Sequence, residues 1–271
     1  MRKVILLSTT IMIAPFMAGE VSAQCAATQD CASLGYTETS NKGGCLKCPF
    51  GNYWACKGSG EADKAVLGQC TGYAKNCKIG NILNNDGTCS SKKVSGKTPI
   101  GVVIYISPEN CGWAIASKSI SGMIVWRDEV NGGKDVVTTS NWKTAINNFD
   151  SCGNTQTLTS KGSNGIYPAA WAAVNYAPSA APATKGKWCL PAPGVLNSLY
   201  TNLSTVDYTL VTIGGEQFVD NSLNIWASSD YDNSDAWTLC ATCDEGAKQG
   251  GLNNWMKWNA EGVYVRPVIE F

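Results

Sequence analysis

The stretch Tyr264-Val265-Arg266-Pro267-Val268-Ile269-Glu270-Phe271 stands at the end of the sequence and decides how the fold is read. Apolar residues alternate with polar ones from Val263 onward, which is the two-residue period of a β-strand. Pro267 has no backbone N–H to donate, so we expect it at an edge or a bulge. The stretch therefore predicts a sheet to which the end of the chain contributes a strand.

Four upstream motifs extend this interpretation. Trp188-Cys189-Leu190-Pro191 comes before Ile225-Trp226-Ala227-Ser228-Ser229-Asp230-Tyr231 and Asp235-Ala236-Trp237, and the apolar run Pro99-Ile100-Gly101-Val102-Val103-Ile104-Tyr105 lies further upstream. In this order the motifs resemble the C-terminal domain of collagen-like surface adhesins, a bacterial exported family. The resemblance covers about residues 98–271 and implies an α+β, C-type-lectin-like fold. Ala192, Val195 and Ile269 depart from the family pattern, which has Ser, Glu and Arg there.

The start of the sequence is typical of an export signal. Arg2 and Lys3 precede an apolar run, and Val21-Ser22-Ala23 offers small residues for cleavage. We therefore expect a signal peptide over residues 1–23 and a secreted, periplasmic or bacterial cell-surface protein. The apolar run is too short to span a bilayer, so no transmembrane segment is expected.

Cysteines dominate the region that follows. The chain has 13 of them, which in an exported protein indicates disulfides. Eight lie close together among few large aliphatic residues: Cys25, Cys31, Cys45, Cys48, Cys56, Cys70, Cys77 and Cys89. We predict a small disulfide-rich module over residues 24–93, whose even number of cysteines can close on itself, and a lectin-like domain over residues 94–271. Residues 98–271 are expected to fold alone. The odd cysteine then lies in the second domain, where it would permit an oligomer.

Charge and composition exclude several functions. Lys and Arg number 21, as do Asp and Glu, and no basic stripe is present, so nucleic acid is not an expected partner. The sequence contains no His, which removes Ser-His-Asp triads, Cys-His pairs and His-based zinc sites. We expect a protein without catalytic activity, metal or cofactor.

Local patterns predict the other elements. Strands are expected over residues 101–107, 112–117 and 123–126, and helices over residues 140–149, 167–176 and 193–203. Residues 210–215 read locally as a strand entering a hairpin. The family resemblance instead implies a short helix there, capped by Ser204 or Thr205 and ended by the Gly214-Gly215 pair, and we follow it.

Polar loops beside aromatic residues carry the functional prediction. Short hydroxyl, amide and carboxylate groups next to aromatic faces suit the recognition of a glycan or a protein ligand. The candidate ligand-binding residues are Trp226, Asp230, Tyr231, Asn233, Asp235, Trp237, Asn253, Asn254, Trp255 and Trp258, with Lys257 and Asn259 in the same segment. The alternatives are that Ser228 and Ser229 only tie down backbone groups, and that Trp255 and Trp258 belong to the core.

Two other function classes stay open. Formylglycine-generating oxidases use a Cys pair that binds copper, and Cys240 and Cys243 are the pair that would serve here, although a structural disulfide suits an exported chain better. A structural envelope protein assembled through the Cys-rich module is the other class. For calcium, the weaker candidates are Glu109 with Asn110, and Asp230, Asp232, Asn233 and Asp235.

Overall fold

The computed structural model describes residues 64–128, 139–219, 223–242 and 251–271, together with the backbone of two short strands further upstream. Those strands, β1 (Cys45–Lys47) and β2 (Trp54–Cys56), pair antiparallel. The predicted signal peptide and the rest of the Cys-rich segment before residue 64 lie outside the described residues.

In the described residues from 64 onward, ten further strands and five α-helices follow. The strands are β3 (Ile82–Asn84), β4 (Cys89–Ser90), β5 (Pro99–Ile106), β6 (Gly112–Ala116), β7 (Trp188–Cys189), β8 (Asn224–Asp230), β9 (Asp235–Cys240), β10 (Leu252–Met256), β11 (Val263–Tyr264) and β12 (Val268–Glu270). The helices are α1 (Trp142–Ala145), α2 (Ser151–Lys161), α3 (Pro168–Asn175), α4 (Pro193–Thr201) and α5 (Leu203–Ile213). Helices and sheets thus share one chain, as an α+β fold requires.

The larger sheet has the strand order β4-β3-β5-β6-β12-β7. Its centre is the antiparallel hairpin of β5 and β6, as the two apolar runs predicted. The strand predicted over residues 123–126 is wrong, because that segment is irregular. Its buried Trp126 instead donates from Nε1 to the carbonyl oxygen of Ala227, at 2.7 Å.

The end of the chain joins both sheets. β11 pairs in parallel with β8 in the smaller sheet, whose order is β10-β9-β8-β11. β12 then pairs with β6 and β7 in the larger sheet. Pro267 lies between the two strands. The single strand that we predicted, with Pro267 at an edge or a bulge, is instead two strands in two sheets. The missing N–H of Pro267 is compatible with this break in pairing.

The domain boundary predicted between residues 93 and 94 is wrong for the described part of the chain. β3 pairs with β5 across that boundary, and the Cys70–Cys111 disulfide crosses it as well. Leu83 also packs in one buried cluster with Trp188 and Phe271. Residues from about 64 onward therefore belong to the same structural unit as the C-terminal region.

The disulfides overturn the prediction that the N-terminal cysteines close on themselves. The Cys77–Cys89 disulfide lies before residue 93 and the Cys152–Cys189 disulfide lies after it. The Cys70–Cys111 disulfide joins the two sides. Cys240 is also disulfide-bonded. These bonds fit an oxidising compartment.

Some helices lie where the sequence predicted them, and others do not. α3 and α4 lie where periodicity placed them, and α5 is a helix that ends at Gly214 with a left-handed φ of 75°. Asn202, rather than Ser204 or Thr205, precedes α5. The predicted helix over residues 140–149 shortens to α1, capped by the side chain of Asn141. α2, capped by Asp150, was not predicted because its buried face is mostly polar, with Ser151, Asn154 and Thr155 beside Leu158, and so shows no apolar periodicity.

Arg266 fixes the turn after β6 from inside the protein. The side chain of Arg266 is fully buried. Its Nε donates to the carbonyl oxygen of Ala116, and its Nη2 donates to the carbonyl oxygen of Ser117, each at 2.9 Å. Burial lowers the pKa of Arg266 to about 10, against the opposing charges of Glu216 and Asp207. Among the described residues, no helix combines the length and apolar character that crossing a bilayer requires.

Candidate functional site

The turn between β8 and β9 is a compact, exposed polar loop. The carboxylate of Asp232 accepts from the backbone N–H groups of Ser234 and Asp235, each at 2.8 Å. The backbone N–H of Tyr231 donates to the carbonyl oxygen of Asp235, at 2.9 Å. Asp, Asn and Ser favour such turns because their short side chains bond to nearby backbone groups.

A buried lysine lies beneath this turn. Lys257 has no exposed side-chain area and forms an ion pair with the equally buried carboxylate of Asp230. Its Nζ also donates to the carbonyl oxygen of Asp232, at 2.6 Å, and its backbone N–H donates to that of Ser234, at 3.0 Å. The ring of Trp126 lies against the ammonium group, at 5.3 Å from its centroid. Lys257 is therefore a support for the turn and not the ligand-facing residue that we expected.

A second cation reaches the same turn from another segment. Arg127, which is 9% exposed, donates from NH2 to the carbonyl oxygen of Asn233, at 2.9 Å. Its own backbone N–H and that of Trp126 both donate to the carbonyl oxygen of Lys257. Sequence reasoning missed Arg127, because it follows an irregular segment and no motif marks it. Two cationic side chains thus support the turn from below, and the backbones of their two residues are hydrogen-bonded to each other.

Burying the cationic side chains of Lys257 and Arg127 has a free-energy cost. Removing a charge from water costs several kcal/mol, and a good partner only offsets that cost. An apolar pair of similar shape would stabilise the interior as well or better. What Lys257 adds is a fixed conformation of the exposed turn above it, since its donors meet carbonyl groups of that turn. A rigid loop on a rigid scaffold is the usual arrangement of a binding site.

Polar groups at the surface of the turn continue onto the neighbouring strand. β10 pairs antiparallel with β9, and the amide of Asn254 donates to the carboxylate of Asp235. The exposed or half-exposed polar residues of this patch, which we call the hairpin surface, are Asp232, Asn233, Ser234, Asp235 and Asn254. Carboxylate, amide and hydroxyl groups lie side by side there, which suits hydrogen bonding to a polar ligand.

Three of the predicted ligand-binding residues are buried. Trp226 and Trp237 are 0% and 1% exposed, and their indole N–H groups donate to the carbonyl oxygens of Ile124 and Thr139. Asp230 is fully buried in its ion pair with Lys257. Both faces of this sheet are covered by other elements, so tryptophans that flank a polar loop in sequence point into the core. These three residues are corrected to supports of the site.

The remaining aromatic candidates do not share one face. Tyr231 packs edge-on against Trp237, with ring centroids 4.9 Å apart, in the cluster on one side of the sheet. Trp255 is paired with Ala236 and packs in the cluster on the other side, with Trp226. The predicted aromatic face is therefore divided by the sheet, because successive strand residues point to opposite sides.

The other candidates keep some accessible area. Tyr231, Asn253, Trp255 and Trp258 are half-exposed, whereas Asn233 is exposed. The pairing of Asn253 with Thr238 places it on the same side of the sheet as Trp255. Ligand contact by these residues stays a prediction.

Metal binding finds no support in the turn. The carboxylates of Asp230 and Asp232 are engaged by Lys257 and by backbone N–H groups. Among the described residues, the one close group of three Cys, Asp or Glu side chains is Cys70, Cys111 and Glu270. The two sulfur atoms in that group are joined in a disulfide.

Comparisons with known proteins give little. No protein-family model matches this sequence, and no curated protein matches it. Among solved structures, it is similar to a fimbrial protein from Bacteroides ovatus, with a TM-score of 0.46 and 11% identity, over 72% of this chain and 48% of that one. The chain thus spans about half the length of that protein. The likeness is too distant to identify a shared fold or function.

Proposed function

We propose that this protein is an extracellular binding protein that recognises a glycan or a protein ligand through the hairpin surface. The observation that carries the proposal is the pair of buried or nearly buried cations, Lys257 and Arg127, that hold the carbonyl groups of an exposed turn. A preformed loop loses little conformational entropy when a ligand binds, so more of the contact energy appears as affinity.

We further propose that this surface belongs to a C-type-lectin-like domain. The resemblance places its first strand at β5 and its closing motif at β11 and β12, and β5 and β12 both pair with β6. The helix expected at α5 from the resemblance agrees with the structure, against the local strand signal. These agreements support the proposal without depending on the distant structural match.

One observation counts against the oxidase alternative. A copper site at this position needs the thiolate of Cys240, because thiolates are the ligands that Cu(I) prefers. Cys240 is disulfide-bonded. No observation on the described residues favours that chemistry over binding.

The test is a glycan and glycosaminoglycan array probed with the full-length protein and with two variants. We expect Asn254→Ala to weaken the strongest interaction about threefold to tenfold, because it removes one hydrogen-bonding group from the hairpin surface. Asn175→Ala is the matched control, since Asn175 is an exposed amide at the end of α3 whose side chain donates to the carbonyl oxygen of Trp171 in the same helix. Equal signals from both variants would count against the hairpin surface. If the array is blank, a pull-down of surface proteins with the same variants applies the same criterion to protein ligands.

A further inference from the structure

Lys257 and Asp230 hold an amine and a carboxyl group in direct contact inside the protein. Asp230 is the last residue of β8 and Lys257 directly follows β10, yet neither side chain has any exposed area. The ring of Trp126 lies against the ammonium group, with its centroid 5.3 Å from Nζ. Bulk water therefore does not reach the two groups.

Backbone hydrogen bonds keep both residues in place. The carbonyl oxygen of Asp230 accepts from the backbone N–H of Thr139, at 3.0 Å. The carbonyl oxygen of Lys257 accepts from the backbone N–H groups of Trp126 and Arg127, at 2.8 and 3.1 Å. A reaction between groups that are held together in this way is intramolecular, and well-aligned cases reach effective concentrations of about 10⁵–10⁸ M.

Burial also favours the reactive forms of the two groups. An ammonium nitrogen has no free electron pair with which to attack, and a carboxylate is a poor electrophile. Two full charges are disfavoured away from water, whereas a neutral amine and a carboxylic acid are penalised much less. Transfer of one proton from Lys257 to Asp230 produces those neutral groups, which are the forms that condense to an amide.

We propose that Lys257 and Asp230 become joined by an isopeptide bond, which is an amide between their side chains. Nζ of Lys257 attacks Cγ of Asp230 and forms a C–N bond, and the bond from Cγ to one carboxyl oxygen breaks. That oxygen leaves as water, with its own proton and one from the nitrogen, so no oxidant or other reactant is needed. Exclusion of water from the site then protects the amide from hydrolysis.

The bond preserves the support of the β8–β9 turn. The amide nitrogen keeps one hydrogen, and the carbonyl oxygen of Asp232, 2.6 Å from Nζ, is its acceptor. The end of β8 is then tied covalently to the residue after β10. The hairpin surface does not depend on this bond, because the two side chains form the ion pair until the bond forms, and the ion pair alone supports the turn.

The test is peptide mapping of the full-length protein by mass spectrometry, after its disulfides are reduced and alkylated. Trypsin cleaves after lysine only when the amine is free, so a cross-linked Lys257 stays uncleaved. Lys248 lies between the two residues and separates their peptides. We expect one branched peptide that contains Lys257 and Asp230, with the mass of the two segments less one water molecule. Separate peptides in wild type, with cleavage after Lys257, would overturn the proposal.

An exposed pair of the same chemistry is the control in the same digest. Nζ of Lys97 is 3.0 Å from a carboxylate oxygen of Asp86, but the two side chains are 31% and 39% exposed, so water stabilises both charges. Their peptides should be recovered unlinked. The branched peptide should be absent from Lys257→Arg, which keeps the charge without a primary amine, and present in Lys97→Arg. Equal cross-linking of the exposed pair would overturn the argument from burial.

Discussion

Replacing Lys257 by Met removes the cation beneath the β8–β9 turn and breaks its buried ion pair with the carboxylate of Asp230. Breaking a buried ion pair from one side typically costs about 3–5 kcal/mol. Both side chains are fully buried here, so solvent screening does not reduce that cost. We therefore expect Lys257→Met to lower the free energy of unfolding by about 3–5 kcal/mol.

The double variant Lys257→Met/Asp230→Leu separates this penalty from the support of the turn. With both charges gone, no unpaired charge remains, and an apolar pair often restores stability. The carbonyl oxygen of Asp232 still lacks its charged donor, which is worth about 1.5–3 kcal/mol. We expect the double variant to lie about 1–3 kcal/mol below wild type, and so above the single variant.

The assay is guanidinium denaturation under conditions that keep the disulfides intact. Lys118→Met, on an exposed lysine, is the control and should change the free energy of unfolding by less than about 0.5 kcal/mol. Hydrogen exchange then reports on the turn, where the amides of Ser234 and Asp235 should exchange faster in the double variant than in wild type. If the single variant is as stable as the double one, the buried ion pair does not have the role assigned to it.

Three other predictions concern the scaffold. Burial raises the pKa of Glu270 to about 8 from 4.5. The neutral carboxyl group stabilises the fold fully below pH 4.5, and this contribution is lost as the pH rises through 8. The free energy of unfolding of wild type relative to Glu270→Gln should therefore fall between pH 5 and 8.5, and a difference that stays constant would contradict the shift. A fragment of residues 64–271 should unfold cooperatively on heating, whereas a fragment of residues 98–271 should not, because the shorter fragment lacks β3 and Cys70. Equal melting temperatures for the two fragments would restore the domain boundary at residue 93. Arg266→Met should cost about 1.5–3 kcal/mol in guanidinium for each of the two hydrogen bonds that its charged side chain donates to the carbonyl oxygens of Ala116 and Ser117. A cost near that of Lys118→Met would refute this.

The strands and helices with strong periodicity were predictable from the sequence. β5 and β6 follow from their apolar runs, and α3 and α4 from their spacing and from proline in the first turn. α5 shows the limit of local reading, because β-branched residues near its end favour a strand by propensity while packing makes it a helix. There the family resemblance was the better guide.

The domain boundary was not predictable from composition. The polar segment over residues 90–98 has the Ser, Gly and Lys content of a linker, yet it only connects β4 to β5 within one sheet. Nothing in that content distinguishes a turn from a linker. The pairing of β3 with β5 depends on tertiary structure that a polar segment does not signal.

The site was predictable only in outline. The sequence correctly marked the segments that approach each other, since the β8–β9 turn lies beside β10. It could not tell which of their residues face inward. Trp226, Trp237 and Lys257 are buried because the sheet is covered on both faces, and Arg127 comes from a distant segment without a pattern.

The most direct test of the hairpin surface is to map where a ligand binds. Uniformly ¹⁵N-labelled protein is titrated with the strongest ligand from the array, and shifts of the backbone amide signals are followed. We expect the largest shifts at residues 231–235 and 253–256, and small ones elsewhere. Shifts that leave residues 231–235 unchanged would contradict the proposed binding surface.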